Sequence, residues 1–229
     1  MFTKGLIAVA IAMSSISVCY AWPTLPSMPG VGSALGGGGN SVSAADVDSF
    51  VSQGQISSKL VSDSKLLIAM AIATKEDKDK LTNSQKQIKE GLANKDTTIT
   101  DKERKLSESA DAIFNASTND TAAAARLQNL SAEQKTSVIN AFYNLMLGIK
   151  QQSLQVVTGQ NILKSIPSNP SLLSRASEIK TSVVDMGSNI KSQGEFMTKI
   201  PSLFKSAGIQ PVLPTDASNK PKDMGNAFL

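Results

Sequence analysis

Ser62 and Lys65, Ser177 and Lys180, and Ser188 and Lys191 repeat one arrangement, a hydroxyl three residues ahead of an amine. On a helix this spacing puts both groups on one face, where a neutral lysine could take the serine proton and free a nucleophile. The Ser-Asp-Asn and Lys-Thr-Gly companions of penicillin-binding enzymes are missing, and the spacing recurs on any helix rich in serine and lysine. Glu178 and Asp185, seven apart, share a helix face in a way that suits acid–base work, but solvated carboxylates are the commoner meaning. Asp77-Lys78-Asp79 starts like a calcium loop. Its fifth and sixth positions are then Leu81 and Thr82, where an oxygen ligand and glycine belong. Glycines 30, 32 and 36 miss the dinucleotide fingerprint by one residue, and no strand pattern precedes them.

What is missing excludes more. The chain has no histidine, and its one cysteine is Cys19. Cys/His zinc sites, histidine triads and, once Cys19 is removed, thiol nucleophiles cannot be built. No catalytic, cofactor-binding or metal-binding residue is therefore assigned, and the expectation is a protein that is not an enzyme and needs no cofactor.

The segment 1–21 reads as a secretory signal peptide. Lys4 is its positive charge, Leu6 to Met13 its apolar core, and Cys19 and Ala21 the small residues before a cleavage point. The core is shorter than the roughly 20 residues of a membrane span. A lipoprotein reading of Cys19 would need a small residue at Val18 and leucine at Ile16, and fits less well. The location expected is periplasmic or extracellular. Residues 22–42, rich in proline and glycine, read as a flexible tether. Its apolar Trp22, Leu25, Met28, Val31 and Leu35 are candidate contacts for a partner or membrane.

From Ser43 onward the periodicity is helical. Ser43 suits a cap, with Asp46 and Asp48 near the positive helix end. Leu66 to Ala73 is apolar on all sides, which places it in a core or, as a sharper alternative centred on Ile68, in a membrane or partner. Lys75 to Asn94 is charge-rich. Thr100-Asp101-Lys102-Glu103 has the pattern of a capping box, as does Ser131-Ala132-Glu133-Gln134. Asn119 or Asp120 suits a short helix through Ala125.

The longest pattern runs Val138, Phe142, Leu145, Ile149, Gln152, Val156, Gly159, Leu163, Ile166. After Pro167 and Pro170 it resumes as Leu172, Ala176, Ile179, Val183, Met186, Ile190, Gln193, Met197, Ile200, Phe204. Alternating steps of four and three predict two long helices, and the short link predicts an antiparallel hairpin. Asn169 suits the cap of the second helix, with Pro170 in its first position. Gly208 suits its end. Residues 209–229, with three prolines, read as a mobile tail.

The fold expected is all-α, a bundle of four to six helices over 43–208 dominated by that coiled-coil-like C-terminal hairpin. Leucine, isoleucine, valine and phenylalanine make up about a quarter of the chain, enough for a core. Charges of both signs are interspersed around a net +4, and aromatics are only 4%, so no nucleic-acid partner is expected. Seven basic against three acidic residues from Lys150 to Lys205 give a modest attraction to anionic surfaces. The three glycosylation sequons at Asn115, Asn129 and Asn119 would matter only in a eukaryotic secretory pathway, and the cysteine-poor style reads as bacterial. The function expected is an exported, non-enzymatic binding or structural protein that presents helical surfaces to an envelope or secreted partner. The alternatives are a membrane-active toxin or translocation factor, or a carrier of an apolar ligand such as lipid.

Overall fold

The computed structural model describes residues 42–94, 96–117, 121–225 and 227–228. Among them are six α-helices and no strand, so the chain is an all-α bundle. The helices are α1 (Ala44–Ile72), α2 (Lys75–Ala93), α3 (Ile99–Ser117), α4 (Thr121–Gln128), α5 (Ala132–Ser165) and α6 (Ala176–Ser206).

Local chemistry sets most of the ends. At the start of α1 the Asp46 amide donates to Ser43 Oγ, and Ser43 N donates back to the Asp46 carboxylate at 2.8 Å. Ser43 Oγ also donates to that carboxylate at 2.7 Å, and this bond, together with the one from Ser43 N, favours the ionised carboxyl and holds Asp46 below its ordinary range. Ser131 and Gln134 make the same reciprocal pair at the start of α5. Gly208 ends α6 at φ +69°. Ile209 N donates to Phe204 O and Gly208 N to Lys205 O, which closes the last turn.

Two expected caps are not made. α3 begins at Ile99, so Thr100 lies inside it. Asp96 does the capping work, accepting from Thr98 N, Thr98 Oγ1 and Lys102 Nζ. These bonds, Lys102 first, hold the Asp96 carboxyl down at about 2. At the hairpin turn, Pro170–Arg175 forms a 3₁₀ turn and α6 waits until Ala176. Asn169 makes no cap there. Its Nδ2 donates to Val42 O, tying the entry of α1 to the hairpin turn.

α5 and α6 pack as the antiparallel hairpin, and α1 lies against both. Close approach requires glycine twice. A Cβ on Gly159 would stand 2.3 Å from Val183 Cγ2 on α6 and 2.6 Å from Phe50 Cζ on α1. One on Gly148 would stand 2.7 Å from Val61 Cγ2. The larger core gathers Leu66 to Ile72 with Phe114, Phe142, Phe196, Ile200 and Phe204. A second cluster holds Val47, Phe50, Ile162, Ile166, Leu172, Ile179 and Met186. Gln152 and Gln155 lie where the two meet along α5, with Gln152 donating to Ser58 and Gln155 to Gln53 on α1.

The C-terminal segment departs from expectation. Instead of a mobile tail, residues 209–225 and 227–228 form a strap laid along the bundle, burying Ile209, Ala217, Met224 and Phe228. Its packing uses main-chain groups and a few widely separated apolar anchors, so a sparse apolar pattern with three prolines says nothing against order.

Candidate functional site

The three Ser-x-x-Lys pairs do not become dyads. Ser177, Lys180, Ser188 and Lys191 are all exposed. Ser62 is exposed while Lys65 is buried, facing away toward α3. There Lys65 Nζ lies 2.6 Å from Asp111 Oδ1, donates to Ser107 Oγ at 3.3 Å, and sits 5.5 Å from the Phe196 ring centre. Held by these contacts on α3, the group pins α3 against α1. Glu178 pairs with Arg175 at 2.6 Å, and Arg175 also reaches Asp48. Asp185 is exposed. Among the described residues no group of three or more carboxylates could hold a metal ion.

Of the candidate contact residues, Trp22, Leu25, Met28, Val31 and Leu35 lie outside the described residues, as do the signal segment and Asn119. Ile68 is fully buried at the centre of the larger core, with its neighbours from Leu66 to Ala73. It is a packing residue. No described helix is long and apolar enough to cross a membrane.

The site that the structure assembles is the groove under the strap, which sequence reasoning missed. One flank of α5 presents Gln134, Asn140, Asn144, Lys150 and Gln151. Asn144 has no exposed surface. Its Nδ2 donates to Lys222 O at 2.7 Å, and its Oδ1 accepts from Lys222 N at 2.7 Å. Asn140 Nδ2 donates to Asp223 O, Gln151 Nε2 to Ala217 O, Lys150 Nζ to Thr215 O and Gln134 Nε2 to Ala227 O. The strap therefore runs antiparallel to α5, read at five residues by six bonds to its peptide groups.

Side chains of the strap supply anchors. Met224 packs against Ser64, whose hydroxyl lies 3.8 Å from its sulfur. Phe228 closes a depression of about 20 Å³, room for one water, lined by Asp63, Leu66, Leu67, Met70 and Gln85. Lys78 stands 5.1 Å over the Phe228 ring, and Lys222 4.3 Å over Tyr143. Gly225 turns at φ +62° beside Ser137. Before Met224 the strap makes a compact turn, in which Asn219 Oδ1 accepts from Thr215 N, Thr215 Oγ1 and Asp216 N.

Amides that donate to and accept from a peptide bond recognise extended chain, whatever side chains that chain carries. Here the chain so held is the protein's own C-terminal segment. One signal was legible. Asn144 stands in Ala-Phe-Tyr-Asn-Leu-Met-Leu, residues 141–147, a single amide amid six apolar residues, and a buried amide needs a partner. The chain matches no protein-family model, no curated protein and no solved structure.

Proposed function

We propose that this chain is an exported, non-enzymatic binding protein that presents a helical surface to an envelope or secreted partner. The working surface is the α5 groove, and its ligand class is an extended polypeptide with bulky apolar residues four apart, as Met224 and Phe228 are. The observation that carries this reading is the pair of bonds by which Asn144 holds both peptide groups of Lys222. Neither alternative gains support. Leu66 to Ala73 is occupied in packing the core, and the depression beside Phe228 is too small for an acyl chain.

A labelled peptide with the sequence of residues 209–228 tests the groove. Full-length protein whose own strap is weakened by Met224→Ala and Phe228→Ala should bind it, and addition of Asn144→Leu should abolish that binding. A folded, strap-weakened protein that ignores the peptide sinks the reading. Export is tested separately, by intact mass of the protein from its native source, which should begin at Trp22.

A further inference from the structure

We propose that the tip of the strap is latched by a proton: Asp63, protonated, donates to Gln85 Oε1 across the depression that Phe228 closes, so the strap seats firmly in acid and loosens toward neutral pH. Only the strap's own seat is involved, whatever else the α5 groove binds. The tip lies at the end of the strap opposite its hinge to α6, residues 210–214.

Three elements build the depression. α1 contributes Asp63 and an apolar floor, α2 contributes Gln85, and the strap contributes Gly225 and Phe228. At about 20 Å³ it leaves room for one water between its polar groups.

The hydrogen bonding there is one donor short. Gln85 Oε1 is buried and accepts from none of the described residues. An ionised Asp63 has no proton to give, and Lys59 Nζ already donates to its Oδ2 at 2.8 Å. The carboxylate therefore sets a second acceptor beside an orphaned one. A proton on Oδ1 turns the same side chain into the missing donor and leaves the Lys59 bond in place.

The strap governs how tightly that proton is held. With Phe228 and Gly225 seated, the Asp63 side chain is only 27% exposed. Burial outweighs the attraction of Lys59 and raises the carboxyl above its ordinary 3.8. With the tip lifted, the depression opens to solvent on the strap's side and the carboxylate is hydrated again. The seated state thus binds the proton more tightly, and by linkage the proton favours the seated state. That gain is complete below the ordinary carboxylate value and is lost as pH rises through the raised one.

Other charges set the background. On α1, Lys59 favours the ionised form; on α3, Glu103, itself raised by burial, interacts with both Lys59 and Asp63. On α2, Lys78 stands 5.1 Å over the Phe228 ring. On the strap, the Asp223 carboxylate is turned to Gly225 N at 2.9 Å, and Lys222 lies over Tyr143.

The test is hydrogen exchange of the full chain at the Lys222 amide, corrected for the intrinsic exchange rate at each pH so that it reads opening of the strap. In the parent, protection should fall several-fold as pH rises from about 4 to about 7. Asp63→Asn, which keeps an acceptor for Lys59 and supplies a permanent donor to Gln85, should remove the fall and hold protection at its acid level. Gln85→Met, which takes away the acceptor, should shrink the fall, and Glu103→Gln should retain it. Circular dichroism checks that each variant is folded. Flat protection in the parent overturns the latch, since Asp63 then has the same charge whether the tip is seated or lifted. An undiminished fall in Asp63→Asn overturns it too, as does loss of the fall in Glu103→Gln, which would make Glu103 the titrating group.

Discussion

Asn144 and Lys222 satisfy each other across 78 positions of sequence, the asparagine amide matching both the carbonyl and the N–H of one residue at 2.7 Å. The amide is buried, so truncation strands the Lys222 groups. Asn144→Ala should cost about 1–3 kcal/mol in chemical denaturation. Hydrogen exchange at the Lys222 amide should speed up well before that of α5 itself. Unchanged protection at Lys222 would mean that the strap is held by its apolar anchors alone.

Lys65 and Asp111 supply a second test. Lys65 is 4% exposed, and loss of its carboxylate leaves a buried cation with the Ser107 hydroxyl and the Phe196 ring nearby. Asp111→Ala should destabilise by about 3 kcal/mol, whereas Lys65→Met combined with Asp111→Leu should fall within about 1 kcal/mol of the parent or above it. If the double variant is as unstable as the single one, the ammonium has a role beyond holding the carboxylate.

The glycines divide sharply. Gly159→Ala forces its new methyl onto Val183 and Phe50 and should cost about 1–3 kcal/mol. Gly187 and Gly194 on α6 have nothing within 4 Å of where an alanine methyl would sit, so alanine there should stabilise by about 0.5–1 kcal/mol each. Thermal melts of the three single variants check the order.

Acid should relieve one buried carboxyl. Asp63 meets Lys59 on its own helix at 2.8 Å, Glu103 on α3 interacts with both, and Gln85 of α2 lines the same depression as Asp63. Burial raises the Asp63 and Glu103 carboxyls above their ordinary values. A carboxyl raised in the folded state binds its proton more tightly there. Its contribution to stability is greatest below the unfolded pKa and is lost as pH rises through the folded one. Asp63→Asn should therefore be more stable than the parent at pH 7, and that advantage should vanish as pH falls below 3.8, the ordinary Asp value. The acid-sensitive Asp46, Asp96 and Asp216 are common to both proteins and cancel in the difference. An advantage that persists at low pH would place its origin outside ionisation.

Much of the scaffold was legible because side chains carry it. Phe142, Leu145 and Ile149 recur at the spacing of one helix face, and all three are buried. Ser43 and Ser131 announce helix starts through atoms of their own. The start of α3 was misplaced because Asp96 caps from an irregular loop, where no period exists to count. The pairing of Lys65 with Asp111 joins residues 46 apart, beyond any spacing rule. The strap was the hardest to see. It is recognised by peptide groups that every residue possesses, and the amides that read it resemble ordinary polar positions of a helix.

The direction of the strap decides how it yields to force. Lifted from its tip near Phe228, it loads the Gln134–Ala227 contact first, then Asn140–Asp223, then Asn144–Lys222. Each bond breaks alone, and the strap peels at low tension. Pulled lengthwise from the hinge, the same bonds and the Met224 and Phe228 seats share the load together and resist as a shear joint. The groove is thus a clasp that releases to a lift at one end and holds against a draw along its length.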